Sequence, residues 1–102
     1  MSRIAIVVAV VLLAFGSAAA DKPPWIPKSG FVPNAETAMR IAEAVWIPIY
    51  GKKLIEGEKP FTAELKDETW IVRGRRPVDK GGTAVAEIAK LDGRILRVVH
   101  TQ

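Results

Sequence analysis

The only histidine of this 102-residue chain is His100, close to the carboxyl end. An imidazole can activate a nucleophile as a general base when an acid orients it. Hydroxyl side chains that could act as that nucleophile are Ser29, Thr62, Thr69, Thr83 and Thr101. None of them lies in the glycine-flanked pattern of a nucleophile elbow. We therefore predict that His100 is structural or exposed, and that the protein is not an enzyme.

Metal binding and glycoside hydrolysis are the other chemistries that the residue types allow. The chain has no cysteine, and one histidine needs two or three carboxylates to complete a typical zinc site. Paired carboxylates could cleave a glycosidic bond, and the candidates are Glu56 with Glu58, or Glu64 with Asp67 and Glu68. These acids lie in turn-like or alternating positions, where solvated charge is expected. The sequence thus predicts no metal and no cofactor.

One stretch of the chain is basic and poor in acids. It contains Arg73, Arg75, Arg76 and Lys80, with Asp79 as its one acid. Because arginine is enriched at the energetic centres of protein interfaces, we predict partner contacts at Arg73, Arg75 and Arg76, with His100 next. A solvated loop is the alternative interpretation. Elsewhere acids and bases alternate within a net charge of +4, so the broad basic face of a nucleic-acid-binding protein is not expected.

The first twenty residues have the pattern of an export signal. A basic start ending at Arg3 precedes an apolar run from Ile4 to Phe15, and Ala18 and Ala20 form an Ala-x-Ala cleavage pattern before Asp21. The sequence predicts cleavage between Ala20 and Asp21 and a periplasmic or secreted protein. A retained membrane anchor is the alternative, although such an anchor usually needs about 20 apolar residues.

The 82 residues after the signal segment are enough for one small domain. Residues 21–33 hold four prolines and predict an extended arm. Its apolar residues either cover a core edge or contact a partner; they are Trp25, Ile26, Phe31 and Val32. The domain itself is predicted to span residues 34–102.

A helix is predicted to begin after Asn34, a good N-cap residue. Its apolar stripe is Ala38, Ile41, Ala42, Val45 and Ile49, with Trp46 at the edge of the stripe. Pro48 predicts an end or a kink near Ile47. A second short helical piece is expected within residues 49–55.

Four strands are predicted after the helices. They span residues 61–65, 69–74, 83–89 and 94–100, and Asp92-Gly93 is a strong hairpin signal between the last two. Trp70 is expected in the core. A helix followed by a four-stranded antiparallel meander is an α+β fold.

These elements carry a family resemblance over residues 35–100. The matching features are Ile49-Tyr50-Gly51, Pro60-Phe61, residues 70–74, Pro77, Gly81-Gly82, Ile88, residues 92–95 and His100. In this order and spacing the chain resembles a bacterial immunity-protein family with a nuclear-transport-factor-2-like fold. The position after Gly74 departs from the family pattern, since Arg75 stands where a small or hydroxyl residue is common.

The resemblance implies a curved antiparallel sheet that wraps a helix, a fold that is also cystatin-like in layout. It further implies that the protein binds and blocks a cognate toxin in a polymorphic toxin system. Two other interpretations stay open: an accessory or inhibitory module of a protease or other envelope protein, and an enzyme with a pocket lined by converging acids and His100. The resemblance implies no catalytic residues.

Overall fold

The computed structural model describes residues 23–76 and 81–101. The chain forms helices α1 (Ala35–Tyr50) and α2 (Lys52–Glu56), followed by strands β1 (Thr62–Lys66), β2 (Thr69–Arg73), β3 (Ala84–Ala89) and β4 (Ile95–His100). The predicted signal segment, Pro77 and Lys80 all lie outside the described residues. Within the described part, no helix is both long and apolar enough to cross a membrane.

Helix α1 begins as the sequence predicts. The side chain of Asn34 accepts a hydrogen bond from the backbone N–H of Thr37 (2.9 Å), which satisfies one of the unpaired donors of the first turn. Glu36 lies in that turn and complements the helix dipole. The helix continues past Ile47 and ends at Tyr50, with Pro48 inside it.

The buried face of α1 differs from the predicted stripe. Its buried residues are Ala38, Ala42 and Trp46, whereas Ile49 is mostly exposed. Trp46 is fully buried and packs edge-to-face against Phe61, with ring centroids 5.1 Å apart. The expectation that Trp46 lies at the edge is wrong because the large indole buries more apolar area than any neighbouring side chain and so takes the central position.

The four strands form one antiparallel sheet in the order β1-β2-β3-β4. The register pairs Val72 with Ala86, and Trp70 with Ile88. These side chains face α1 and form the core together with Val32, Ala38, Ala42, Trp46, Ile55 and Ala84. The predicted α+β fold, a helix packed on a four-stranded antiparallel sheet, is confirmed.

The segment before α1 is fixed to one end of the sheet. It contains two hydrogen-bonded turns, closed by Ile26 N–H to the Pro23 carbonyl (3.2 Å) and Gly30 N–H to the Pro27 carbonyl (2.9 Å), instead of a continuously extended path. Ile26 is buried and Val32 fully so, which matches a segment that covers the core edge.

Candidate functional site

Glu58 is the one buried charged side chain among the described residues, with 1% of its surface exposed. It follows α2, whose end turns tightly: the Glu58 N–H donates to the Ile55 carbonyl (3.0 Å). This turn directs the side chain into the domain. The expectation that Glu58 is a solvated charge is therefore wrong.

The carboxylate of Glu58 joins the two strands at one end of the sheet. Its Oε1 accepts the backbone N–H of Ala84 on β3 (2.8 Å), and its Oε2 lies 2.8 Å from Nε2 of His100 on β4. Ala84 and His100 are register partners in the sheet. A single side chain therefore links the helical half of the domain to a pair of neighbouring strands.

His100 uses both ring nitrogens in these contacts. Its Nδ1 lies 3.0 Å from the Thr101 carbonyl oxygen, which can only accept, so Nδ1 carries a proton. Its Nε2 faces Oε2 of the Glu58 carboxylate at 2.8 Å. The ring also packs edge-to-face on Tyr50, with centroids 5.2 Å apart.

This arrangement suits structure better than acid–base chemistry. A general base needs a nitrogen that can reach a substrate proton, and both nitrogens of His100 already face protein oxygens. A pocket lined by two or more acids that converge with His100 would favour the enzymatic interpretation. Among the described residues, Glu58 is the one acid paired with His100.

Gly74 leaves the space that Glu58 occupies. A Cβ atom on Gly74 would overlap Oε1 of Glu58 and lie 2.9 Å from its Cβ. Position 74 requires a glycine because the Glu58 side chain occupies the space that a Cβ atom would need. Real Cβ atoms essentially never come closer than 3.0 Å to such neighbours, so any larger residue must displace Glu58.

The chain after Gly74 binds the same segment. The Arg75 N–H donates to the Glu58 carbonyl (2.6 Å), and its Nε donates to the Lys59 carbonyl (2.8 Å). We call Glu58, Lys59, Gly74, Arg75 and His100 the Glu58 corner. Two of the predicted contact residues, Arg75 and His100, thus meet in one place.

The other two predicted contact residues extend the surface of this corner. Arg73 ends β2 and pairs with Glu64 on β1, at 3.7 Å between Nη1 and Oε1. Arg76 is exposed and follows Arg75 directly. The guanidinium group of Arg75 is therefore held by a hydrogen bond to the backbone, whereas Arg73 makes only an exposed ion pair.

A shallow groove of about 220 Å³ lies between α1 and the chain that enters β1. Its apolar lining is Met39, Pro60 and Phe61, and charged side chains form its rim: Glu36, Arg40, Glu43 and Lys59. This volume is below the range of about 300–1,000 Å³ for small-molecule sites. The groove is large enough for a single side chain of a partner.

Ion pairs organise the rim of this groove. Lys59 Nζ lies 2.9 Å from carboxylate oxygens of both Glu43 and Glu56. These hydrogen bonds, that to Glu43 first, raise the pKa of Lys59. The hydrogen bond from Lys59 likewise lowers the pKa of Glu56. Across residues 23–76 and 81–101, no group of three or more potential metal ligands comes together.

Sequence reasoning missed Glu58 as the centre of this site. Its partners Arg75, Ala84 and His100 are 17, 26 and 42 positions away, so no local pattern reveals them. The one signal is Gly74, a glycine at a strand end where no tight turn requires it.

The fold and the corner define a small α+β domain held together by a buried carboxylate. The family model described as "NTF2 fold immunity protein" matches residues 37–102. The chain belongs to this family, as its motifs predict.

Two curated relatives are similar to this chain, and both are named as uncharacterised proteins of Escherichia coli. YhhH is 37% identical over 71 residues, which cover 68% of this chain and 56% of YhhH. YbbC is 31% identical over 67 residues, which cover 64% of this chain and 55% of YbbC. The chain therefore spans about half the length of these relatives. No solved structure matches it significantly.

Proposed function

We propose that this protein is an exported immunity protein that neutralises a toxin protein in the periplasm by binding to it. The observation that carries the proposal is membership of the immunity-protein family over residues 37–102. Family members of this kind need a complementary surface and no chemistry of their own. The occupied nitrogens of His100 are consistent with that role.

The contact surface in this proposal is centred on the Glu58 corner with Arg73 and Arg76. Its arginines are exposed, and the guanidinium of one of them, Arg75, is held by a hydrogen bond to the Lys59 carbonyl. Side chains that are ordered before binding lose less conformational entropy in the complex. A stable interface needs about 800 Å² from each partner, an area that a domain of this size can supply.

The location in the periplasm rests on the sequence of residues 1–20 alone. It would place the protein where a toxin from outside first enters the cell. Fractionation of cells that express the chain with a carboxyl-terminal tag tests this part of the proposal. A tagged product in the periplasmic fraction that begins at Asp21 supports it, and a product in the cytoplasm contradicts it.

The binding role is tested by capture followed by genetics. Tagged protein purified from the periplasm serves as bait for secreted and periplasmic proteins of the source strain and its neighbours. A captured protein that kills cells lacking this chain, and spares cells that express it, supports the proposal. A stoichiometric partner without toxicity, such as a protease, would favour the accessory-module interpretation.

The contact surface is tested on the captured partner by charge reversal. The double variant R75E/R76E should weaken binding and reduce its salt dependence. K66E/R94E is the matched control, because it changes the net charge equally at the opposite end of the sheet. Equal affinities of the two variants for the partner would remove the Glu58 corner from the interface.

A further inference from the structure

Two exposed aromatic side chains stack on each other at the end of the sheet opposite the Glu58 corner. Trp25 and Phe31 have ring centroids 5.7 Å apart, and they are 68% and 44% exposed. Leu91, which is 40% exposed, lies beside them because its carbonyl accepts the Phe31 N–H (2.9 Å). We call these three residues the aromatic turn.

The aromatic turn is rigidly attached to the domain. The N–H of Val32 donates to the Lys90 carbonyl (3.1 Å), and Nε1 of Trp70 donates to the Val32 carbonyl (2.8 Å) in the interior. The Lys90 ammonium donates to the Ser29 carbonyl. The exposure of Trp25 and Phe31 is thus a consequence of a fixed backbone.

Trp25 of the aromatic turn follows closely after the apolar residues 4–20 in the sequence, which indicates a membrane as the contact. Residues 4–20 contain no charged side chain, a stretch of 17 residues at the short end of the range that can span a bilayer. Trp25 is five positions after Ala20, and an extended chain covers at most about 3.5 Å per residue. Trp25 is therefore no more than about 18 Å from the end of the apolar stretch.

The chemistry of the surface fits the boundary between lipid and water. Tryptophan is enriched at that boundary, where an amphipathic ring can lie at the level of the headgroups. Three basic residues are close in sequence to members of the aromatic turn: Lys28, Lys90 and Arg94. Such residues are attracted to anionic headgroups.

We infer that, while residues 4–20 occupy a bilayer, the aromatic turn lies in the interface of that membrane and fixes the orientation of the domain. Continuity with the apolar stretch favours a lipid surface over a protein as the occupant. In this orientation the Glu58 corner points away from the membrane, since it lies at the far end of the strands. This inference concerns the chain before any cleavage after Ala20, and it is independent of the toxin-binding role.

Tryptophan fluorescence of the full chain tests the inference. The full chain is reconstituted into vesicles of phosphatidylethanolamine and phosphatidylglycerol, in which the lipid is either ordinary or brominated near the headgroup end of its acyl chains. Of the three tryptophans, Trp46 and Trp70 are buried, so Trp25 is the one that bromine can reach. We expect brominated lipid to quench the wild-type emission, and the surface variant W25F to lose at least half of that quenching.

A second variant and a soluble quencher make the result decisive. F31S/L91S leaves Trp25 in place and removes the other apolar side chains of the aromatic turn, so it should reduce the quenching by brominated lipid. Acrylamide should quench Trp25 less in vesicles than in the detergent-solubilised chain. Equal quenching of wild type and W25F by brominated lipid, or full access of acrylamide to Trp25 in vesicles, would overturn the inference.

Discussion

Glu58 and His100 are 42 positions apart in the sequence, yet Oε2 of the first lies 2.8 Å from Nε2 of the second in the partly buried end of the sheet. The contact connects the helical part of the domain to the last strand, because Glu58 follows the helices and His100 ends that strand. A charge taken out of water is tolerated only when its hydrogen bonds are satisfied. Glu58 meets that condition through Ala84 and His100 together.

Replacing either partner should therefore destabilise the fold. We expect H100A to lower the free energy of unfolding by about 3 kcal/mol, because it leaves the Glu58 carboxylate buried without its partner. The double variant E58Q/H100A should lose less than the sum of E58Q and H100A. Urea denaturation of the four proteins measures this coupling.

An exposed acid–base pair serves as the control for the effect of burial on the Glu58–His100 contact. Glu64 also pairs with a basic residue, Arg73, but its side chain is mostly exposed. We expect E64Q to change the free energy of unfolding by less than about 1 kcal/mol. Strictly additive losses in the Glu58 and His100 cycle would show that the two side chains do not interact energetically.

Gly74 provides a second test of the same packing. We expect G74A to lower the free energy of unfolding by about 2 kcal/mol, because the added methyl group overpacks the site of Glu58. G57A is the control, since a Cβ there approaches no atom closer than 3.4 Å. The loss caused by G74A should shrink in the E58A background. A loss of the same size in both backgrounds would mean that Gly74 is needed for another reason.

Local signals predicted most of the secondary structure. Asn34 fixes the start of α1 through its side chain, and Asp92-Gly93 fixes the last turn, where Gly93 has a φ of 77°. At Pro48 the sequence predicted an end or a kink near Ile47, and the helix continues to Tyr50. The missing N–H of proline removes one bond to Ala44, but the Gly51 N–H still bonds to the Ile47 carbonyl (2.8 Å) and closes the last turn.

The site could not be predicted in the same way. The basic cluster was visible because its residues are neighbours in sequence, whereas the burial of Glu58 depends on β3 and β4 arriving beside it. A pattern of period two or 3.6 contains no information about such a contact. The same limitation applies to Trp46, whose central position depends on Phe61 across the domain.

The turn between β1 and β2 carries a backbone conformation that its residues disfavour. Asp67 and Glu68 have φ values of 49° and 63°, in the left-handed region that costs a non-glycine residue about 1–2 kcal/mol. D67N/E68G would supply the Asn-Gly pair that hairpins of this kind prefer. We expect the free energy of unfolding to rise by about 1 kcal/mol, measured by urea denaturation.

The control for this turn is a glycine placed in the adjacent strand. K66G introduces the same flexible residue at the end of β1, where no positive φ requires it, and should lower stability by about 0.5–1 kcal/mol. The bond from the Lys90 N–H to the Glu68 carbonyl (3.0 Å) is to the backbone and can persist in D67N/E68G. A fall in stability of that variant would contradict the assignment of strain to the turn.

The ion pairs of Lys59 should stabilise the fold at intermediate pH and lose this effect in both acid and alkali. The hydrogen bond from Lys59 lowers the pKa of Glu56 in the folded state. The stabilisation from Glu56 is therefore present above the ordinary glutamate pKa of about 4.3. It is lost as pH falls through the lowered pKa of the folded state. Glu43 and Glu56 raise the pKa of Lys59 in the folded state. The stabilisation from Lys59 is therefore complete below the ordinary lysine pKa of about 10.4. It is lost as pH rises through the raised pKa of the folded state. The difference in free energy of unfolding between wild type and K59M should therefore be largest between these limits, decline at both extremes and shrink in high salt. K53M is the matched control on α2, and a pH-independent difference for K59M would show that these ion pairs do not stabilise the fold.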